Sequence, residues 1–273
     1  MPELPEVETT RRALEPHLLG RQVIGVVQRR PDLRWPIPSL FAESWVGVRL
    51  ATIQRRAKYL LLDTDDDHSG SALVHLGMSG SMRVLPQGTP AGTHDHWDWL
   101  LDSGQLLRYT DPRRFGCLLH QPTGQLHPLL AALGPEPLAP EFDGRHLFTR
   151  SRGRSGPVKN FLMDQSIVVG VGNIYAAESL FEAGIDPRRA AGRVSLPRYE
   201  KLATAVKRIL NYAITRGGTT LRDFLSPDGA PGYFELELKV YGREGQPCTV
   251  CARPLKALRL GQRQSVWCAH CQR

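Results

Sequence analysis

The chain has 273 residues, 41% of them hydrophobic, enough to fill the cores of two ordinary domains. Lysine and arginine outnumber aspartate and glutamate by 35 to 27, a formal charge of +8 that favours a polyanionic partner, nucleic acid before an anionic membrane. No stretch is long and apolar enough to span a bilayer, and MPELPEVETTRR lacks the apolar core of a signal peptide, so a cytosolic protein with no membrane partner is expected.

The acidic residues Glu3, Glu6 and Glu8 suit a helix N-terminus, and Val7, Leu14 and Leu18 share a face, which predicts a helix over 4–18. Pro16 is expected to kink it or end it early. From about 20 to 120 come short β-rich runs broken by turn residues: QVIGVVQRR, VGVRLATIQRRAKYLLLDT, SALVHLGMSG, GQLLRYTD and FGCLLHQ. Strands at that spacing predict an antiparallel sandwich or barrel. The proline-rich stretch 134–142, GPEPLAPEF, reads as a junction. Helical periodicity follows in KNFLMDQ, NIYAAESLFEAG and a run over about 196–216. The segment 217–234 reads as a long loop of the kind that is often functional. The predicted class is α+β, with an N-terminal β domain over 1–133, a helical domain over 143–235 and a tail module over 236–273.

That tail carries four of the five cysteines. Cys248-x-x-Cys251 and Cys268-x-x-Cys271, separated by 16 residues, have the spacing of a four-cysteine zinc ribbon. Four protein ligands leave a metal no open position, so one structural Zn2+ is expected, with no organic cofactor. The residues between the pairs should form a hairpin presenting Lys256, Arg259 and Arg263. Cys117, alone after an apolar turn, reads as a core residue. At the other end, loss of Met1 would leave Pro2 with a free secondary amine. An α-amino group titrates at roughly 7.7–8.0, far below a lysine near ~10.4, and can attack an electrophilic carbon to form an iminium. Glu3 beside it is a carboxyl able to act as general acid or base.

PELPEVETTRR, RRAKYLLL (55–62), HLGMSGSMR (75–83), YTDPRRFG (109–116), VVGVGNIYAAESLF (168–181) and the four-cysteine tail together resemble bacterial formamidopyrimidine-DNA glycosylase, of the Fpg/Nei family. The match runs in order from residue 2 to the C-terminus. The resemblance implies an N-terminal helix and β-sandwich, a helix-two-turn-helix domain and a zinc finger, acting on damaged double-stranded DNA in bacteria. It implies a bifunctional glycosylase and lyase that excises oxidised purines, 8-oxoguanine and formamidopyrimidines, through an iminium on Pro2 followed by β,δ-elimination. Glu3 would assist base release. Lys58 matches the lysine associated with β-elimination, and Arg263 the arginine of phosphate contact and δ-elimination.

A base inside a duplex is reachable only when flipped out, and the hole must be filled. Met78, Arg113 and Phe115 match the trio that enters the helix. Asn173, in the GVGN turn, and His94, in THDHW, match phosphate and DNA contacts, whereas His96 reads as structural. Glu6 and Glu178 match acidic residues near the active site, and 217–234 the loop that closes over the flipped base. Two positions depart from the pattern: Arg222 stands where lysine is usual, and Ser155 where a basic DNA contact is usual, with Arg154 beside it as the substitute. A sister enzyme for oxidised pyrimidines shares Pro2, Glu3 and the finger but opens PEGPE instead of PELPE. A catalytically silent DNA-binding relative would be expected to have lost Pro2, Glu3 or Lys58. A monomer is expected, because a clamped duplex needs no two-fold axis.

Overall fold

The computed structural model describes residues 2–66, 68–218 and 237–273. Its contacts divide into two compact units, one running through Ala131 and including Gly217 and Gly218, the other formed by Ala132–Arg216 and the segment from 237 to 273.

In the first unit, helix α1 spans Leu4–Leu18 and buries Leu4, Val7, Leu14 and Leu18. Its start is fixed by a capping box, in which the Glu3 N–H donates to Glu6 Oε2 at 2.8 Å and the Glu3 carboxylate takes the Glu6 N–H in return. Of the two outcomes expected at Pro16, an early end does not occur: the helix runs on to Leu18. It sits in the last turn and removes only its own N–H from the ladder, and the bonding resumes past it, the Leu19 N–H reaching the Glu15 carbonyl at 3.1 Å.

Strands β1 (Val23–Gln28), β2 (Leu50–Arg56), β3 (Tyr59–Thr64), β4 (Ser71–His75), β5 (Ser81–Pro86), β6 (Asp95–Leu101), β7 (Gln105–Thr110) and β8 (Cys117–Gln121) form two four-stranded sheets. Their orders are β1-β6-β7-β5 and β2-β3-β4-β8, and every named pairing is antiparallel. Short helices α2 (Leu40–Glu43) and α3 (Pro128–Ala131) complete the unit. Alternate residues of both sheets meet α1 in one core, among them Leu60, Leu62, Val74, Leu118, Leu107 and Leu101. An aromatic cluster sits within it. Trp45 stacks on Trp99 at 4.7 Å, Phe41 meets Trp45 edge-on at 4.8 Å, and Trp97 lies parallel to Tyr109 at 5.4 Å.

The second unit contains α4 (Gly144–Ser151), α5 (Val158–Met163), α6 (Asn173–Glu182), α7 (Leu196–Thr215) and the hairpin β9 (Lys256–Leu260)–β10 (Arg263–Trp267). The expected helices all appear, and α4 is an addition, capped by Asp143, whose side chain accepts the His146 N–H at 2.6 Å. The stretch 134–142 packs inside this unit: the Gly134 N–H reaches the Gln165 carbonyl, and Phe142 is fully buried. The tail is not separate from the helices either. Val240, Leu255 and Val266 share a cluster with Ala177 and Phe181 of α6. The hairpin turns on Gly261 and Gln262, both with positive φ, as a two-residue type I′ loop requires. Among the described residues no helix is long and apolar enough to cross a membrane.

Candidate functional site

In the first unit the chemistry-bearing residues gather at the head of α1. Pro2, Glu3 and Glu6 are all buried there. Lys58 is also buried, at the tip of the β2–β3 hairpin, where Ala57 holds a left-handed φ of 55°. That hairpin is tied to α1 by Arg55, whose Nε reaches Glu8 Oε2 at 3.1 Å, and by Arg11, which reaches the Ile53 carbonyl. Glu8 also pairs with Arg11 and Arg12. Its burial alone would raise the carboxyl pKa, but these guanidiniums hold it below the ordinary value. A small base-and-acid set is thus anchored on an ion-paired frame.

Two loops of the same unit carry Met78, Arg113 and Phe115. They press backbone to backbone: a side chain at Gly77 would overlap Phe115 and Gly116, and one at Gly116 would overlap the His75 carbonyl. Asp111, with no exposure, joins them. Its carboxylate accepts the Ser79 hydroxyl at 2.7 Å, the Gly116 N–H at 2.9 Å and the Arg113 N–H at 3.3 Å. Outside that anchor Met78 is half-buried, Arg113 is exposed, and Phe115 is 47% exposed with the Arg113 guanidinium 4.9 Å from its ring centre. An apolar side chain of that size left facing water is suited to insertion into something else. His75, on the adjoining strand, meets the Tyr59 ring at a tilt, 4.8 Å between centres, and accepts the Gly77 N–H through Nδ1 at 2.9 Å. Burial, then the charges of Lys58 and Arg34, lower its pKa to about 4, so it is neutral at pH 7.

His94 is exposed, and its carbonyl takes the Asp111 N–H at 3.0 Å. Its loop is held from below by Arg108, which donates to the Thr89 and Pro90 carbonyls while forking onto Asp98 at 2.9 and 2.8 Å. His96 is buried with Nε2 2.7 Å from the Asp111 carbonyl, a structural position as expected. Cys117 is buried, and that burial pushes its thiol up to about 12, which leaves it inert.

In the second unit the GVGN turn joins α5 to α6. Gln165 clamps it, accepting the Gly170 N–H and donating to the Val171 carbonyl. Asn173 begins α6, and its Oδ1 accepts from Lys159 Nζ at 2.7 Å, which turns the amide NH2 away from Lys159 as a donor at a helix N-terminus. The same buried ammonium donates to Ser265 Oγ at 2.7 Å and to the Gln264 carbonyl at 3.1 Å. Lys159 therefore fixes the strand whose first residue is the exposed Arg263 against the turn that carries Asn173. Neither Lys159 nor Asp111 stands out in the sequence as a site residue. Asp111 has a weak signal, Asp-Pro at a turn; Lys159 has none.

Glu178 is placed elsewhere on α6, where its carboxylate accepts the N–H groups of Lys239, Val240 and Tyr241 at 2.8–2.9 Å. Burial raises its pKa despite those donors. Arg154 is exposed in an open concavity before α5 and lies 3.8 Å from Asp164. Arg222 and all but the first two residues of the loop 217–234 lie outside the described residues.

Cys248, Cys251, Cys268 and Cys271 converge with all four sulfurs within 4.8 Å of one another. A tetrahedral Zn2+ with Zn–S near ~2.3 Å sets sulfurs roughly 3.8 Å apart. The Cys248–Cys271 and Cys251–Cys268 separations of 3.9 and 3.4 Å fit that ion. The N–H groups of Val250 and Cys271 point at sulfurs at 3.5 Å, as in a zinc knuckle.

Three family models cover most of the chain: the formamidopyrimidine-DNA glycosylase N-terminal domain over 1–118, its H2TH domain over 133–225, and the zinc finger found in FPG and IleRS over 245–273. The chain is 69% identical to formamidopyrimidine-DNA glycosylase of Stenotrophomonas maltophilia and 64% identical to that of Xanthomonas oryzae pv. oryzae, each over the full length of both proteins. Among solved structures it resembles MutM (Fpg) of Thermus thermophilus, with TM-score 0.88 and 38% identity over 99% of this chain and 98% of that one. It also resembles Lactococcus lactis Fpg in complex with abasic-site DNA, with TM-score 0.90 and 30% identity over 99% of each. The four cysteines are accordingly a structural zinc site. With its sheets, its turn and its finger all accounted for by the same relatives, the chain belongs to the formamidopyrimidine-DNA glycosylase family.

Proposed function

We propose that the protein is a DNA glycosylase and abasic-site lyase that removes oxidised purines, 8-oxoguanine and formamidopyrimidines, from duplex DNA in the bacterial cytoplasm, acting as a monomer. The observation that carries this reading is the head of α1, where Pro2 precedes a buried Glu3 locked in a capping box, with Lys58 on the hairpin tied to the same helix. Lactococcus lactis relatives solved with DNA containing Fapy-dG or an abasic site support the choice of ligand.

Removal of Met1 converts the Pro2 nitrogen from a tertiary amide, which cannot react, into a secondary amine. Its lone pair forms a bond to C1′ of the damaged nucleotide as the bond from C1′ to the base breaks, and the base leaves with the electron pair and takes up the proton that the amine nitrogen sheds. Glu3 supplies a proton to the sugar ring oxygen as the ring opens, which leaves an iminium between Pro2 and C1′. The iminium is an electron sink. Loss of a C2′ proton expels the 3′-phosphate, a second elimination expels the 5′-phosphate, and water then frees the amine. Lys58 assists the first elimination, and Arg263 holds a phosphate during the second. Asn173, His94 and Arg154 take phosphates, Met78, Arg113 and Phe115 fill the space of the flipped base, and Glu6, Glu178 and Arg222 serve the lesion pocket. Zinc holds the finger and takes no part in the chemistry.

Borohydride trapping on a duplex with 8-oxoguanine opposite cytosine tests the reading. A covalent adduct mapped to the peptide beginning at Pro2, and absent in Pro2→Gly, is expected. An adduct with thymine glycol but none with 8-oxoguanine would assign the protein to the pyrimidine branch, and none with either would leave a DNA-binding protein without this chemistry.

A further inference from the structure

A second basic surface lies on the segment between α6 and α7, beside the C-terminal end of the finger. Arg188, Arg189, Arg193 and Arg273 line one open concavity together with a single acidic side chain, Asp186. That carboxylate is already engaged. Arg188 forks onto it at 2.6 and 2.9 Å, and the Arg188 N–H donates to it as well. The Arg188 guanidinium also lies 4.7 Å from the ring centre of Trp267, so its position is set by both ion pair and ring. Arg189 is held more loosely, its charge sharing the Asp186 carboxylate with Arg188 at longer range. Its Nε is buried with no hydrogen-bond partner, and its charge, after burial itself, depresses the pKa of neighbouring Arg198.

Backbone bonds fix the floor of the concavity. The Gln272 side chain bridges the Cys268 N–H and the Ile185 carbonyl, and the Arg273 N–H reaches the Gly184 carbonyl. The main-chain oxygen of Arg273 is taken up by the Asp186 N–H and by Arg198. One face of this segment is stitched to the start of α5: the Val158 N–H donates to the Arg189 carbonyl, the Lys159 N–H to that of Pro187, and the Gly192 N–H to that of Arg154. The segment that carries three of the arginines is thus fixed against the start of the helix from which Lys159 reaches Asn173.

We propose that this concavity is a second phosphate-binding surface, which holds the sugar–phosphate backbone of duplex DNA beyond the phosphates taken by Asn173 and Arg263 of the same unit. The proposal rests on the reading that the ligand is DNA. Guanidiniums spread over an open surface suit successive backbone phosphates better than one small enclosed anion, and they carry no base information. Their contribution is affinity and salt dependence, about 0.9 in the slope of log K against log salt for each phosphate neutralised.

The test compares Arg188→Gln/Arg189→Gln/Arg193→Gln with the unaltered protein, and with Lys201→Gln on the exposed face of α7 as a charge control. Binding is measured by anisotropy on an abasic-analogue duplex of about one helical turn, on one extended by about one turn (~10 base pairs) at each end, and on an extended lesion-free duplex. Zinc content and thermal unfolding confirm that the variant is folded. The unaltered protein should gain affinity and salt slope on extension. The triple variant should lose that gain, with a slope lower by about 2–3 on both extended duplexes and unchanged on the short one. A wild-type slope on the extended duplexes overturns the proposal, as does an equal loss on short and long. The lesion-free arm reads the surface even if no excision occurs, so the two readings fail separately.

Discussion

Asp111 shows how much a single buried carboxylate can organise. It faces two hydroxyls, of Ser79 and Tyr109, and two backbone N–H groups, and it is what keeps the Met78 and Arg113–Phe115 loops together. Asp111→Ala strands the Ser79 hydroxyl and the Gly116 N–H, whereas the Arg113 N–H keeps Ser79 Oγ and the Tyr109 hydroxyl keeps the His75 carbonyl, and unmatched buried groups cost roughly 1–3 kcal/mol each. A loss of at least about 2 kcal/mol in urea unfolding is expected, with strand incision falling further than global stability alone explains. A loss below about 0.5 kcal/mol would show that the loops hold without it. His75 makes a pH prediction. Its folded pKa of about 4 lies below the ordinary 6.5, so the unfolded chain binds the extra proton between those values. Its contribution is complete above pH 6.5 and is lost as pH falls toward 4, up to about 3 kcal/mol. Stability curves of the protein and of His75→Gln should therefore converge over that window, and parallel curves would contradict the shift. Both residues sit inside quoted motifs, yet neither role was legible there, because burial and partners come from loops that meet only in three dimensions.

At the scale of elements, the clearest agreement between sequence and structure lies where periodicity and capping coincide. Helix α1 occupies the predicted residues because its apolar stripe and its Glu3–Glu6 box specify the same start. Helix α4 went unread because it is short, with a glycine in its first turn. That glycine lies so close to the Glu200 backbone of α7 that a side chain would overlap it, and only Asp143 advertised the cap. The β9–β10 hairpin was legible from its cysteines, but its seating was not. Lys159 looks like any exposed helix lysine until its acceptors arrive from Gln264 and Ser265, more than a hundred residues later. Lys159→Met should cost about 2 kcal/mol, speed amide exchange across Arg263–Trp267, and weaken DNA binding more than it slows single-turnover excision. Unchanged exchange in that strand would remove Lys159 from any positioning role.

For the whole molecule, the division into two compact units gives zinc a local reach. The four thiolates close the tail against Ala177 and Phe181, so stripping the metal with a chelator should loosen the second unit. The sandwich, with its own core of both sheets and α1, should keep its unfolding transition. Calorimetry with and without chelator reads this directly: one transition shifts by several degrees and the other stays. DNA binding should vanish with the metal, and a metal-free protein that still binds would count against the finger as a phosphate-contacting module. An antiparallel β domain and the finger were legible at this scale because spacing and turn residues recur along the chain, whereas the choice of a two-sheet sandwich over a barrel came from the resemblance. That the finger and the helices share one unit was not, because the contacts of Val240, Leu255 and Val266 with α6 leave no periodic trace.

The placement of the tryptophans makes the protein its own optical instrument. Trp35, Trp45, Trp97 and Trp99 all belong to the first unit, three of them in the stacked cluster, whereas Trp267 alone reports from the second, beneath the Arg188 guanidinium. With the other four replaced by phenylalanine, emission from Trp267 would follow one finger strand without a label. A polyanion that draws Arg188 off the ring would change the quantum yield, and loss of zinc would shift the emission to the red as the indole met water, so one fluorophore would separate ligand arrival from metal departure.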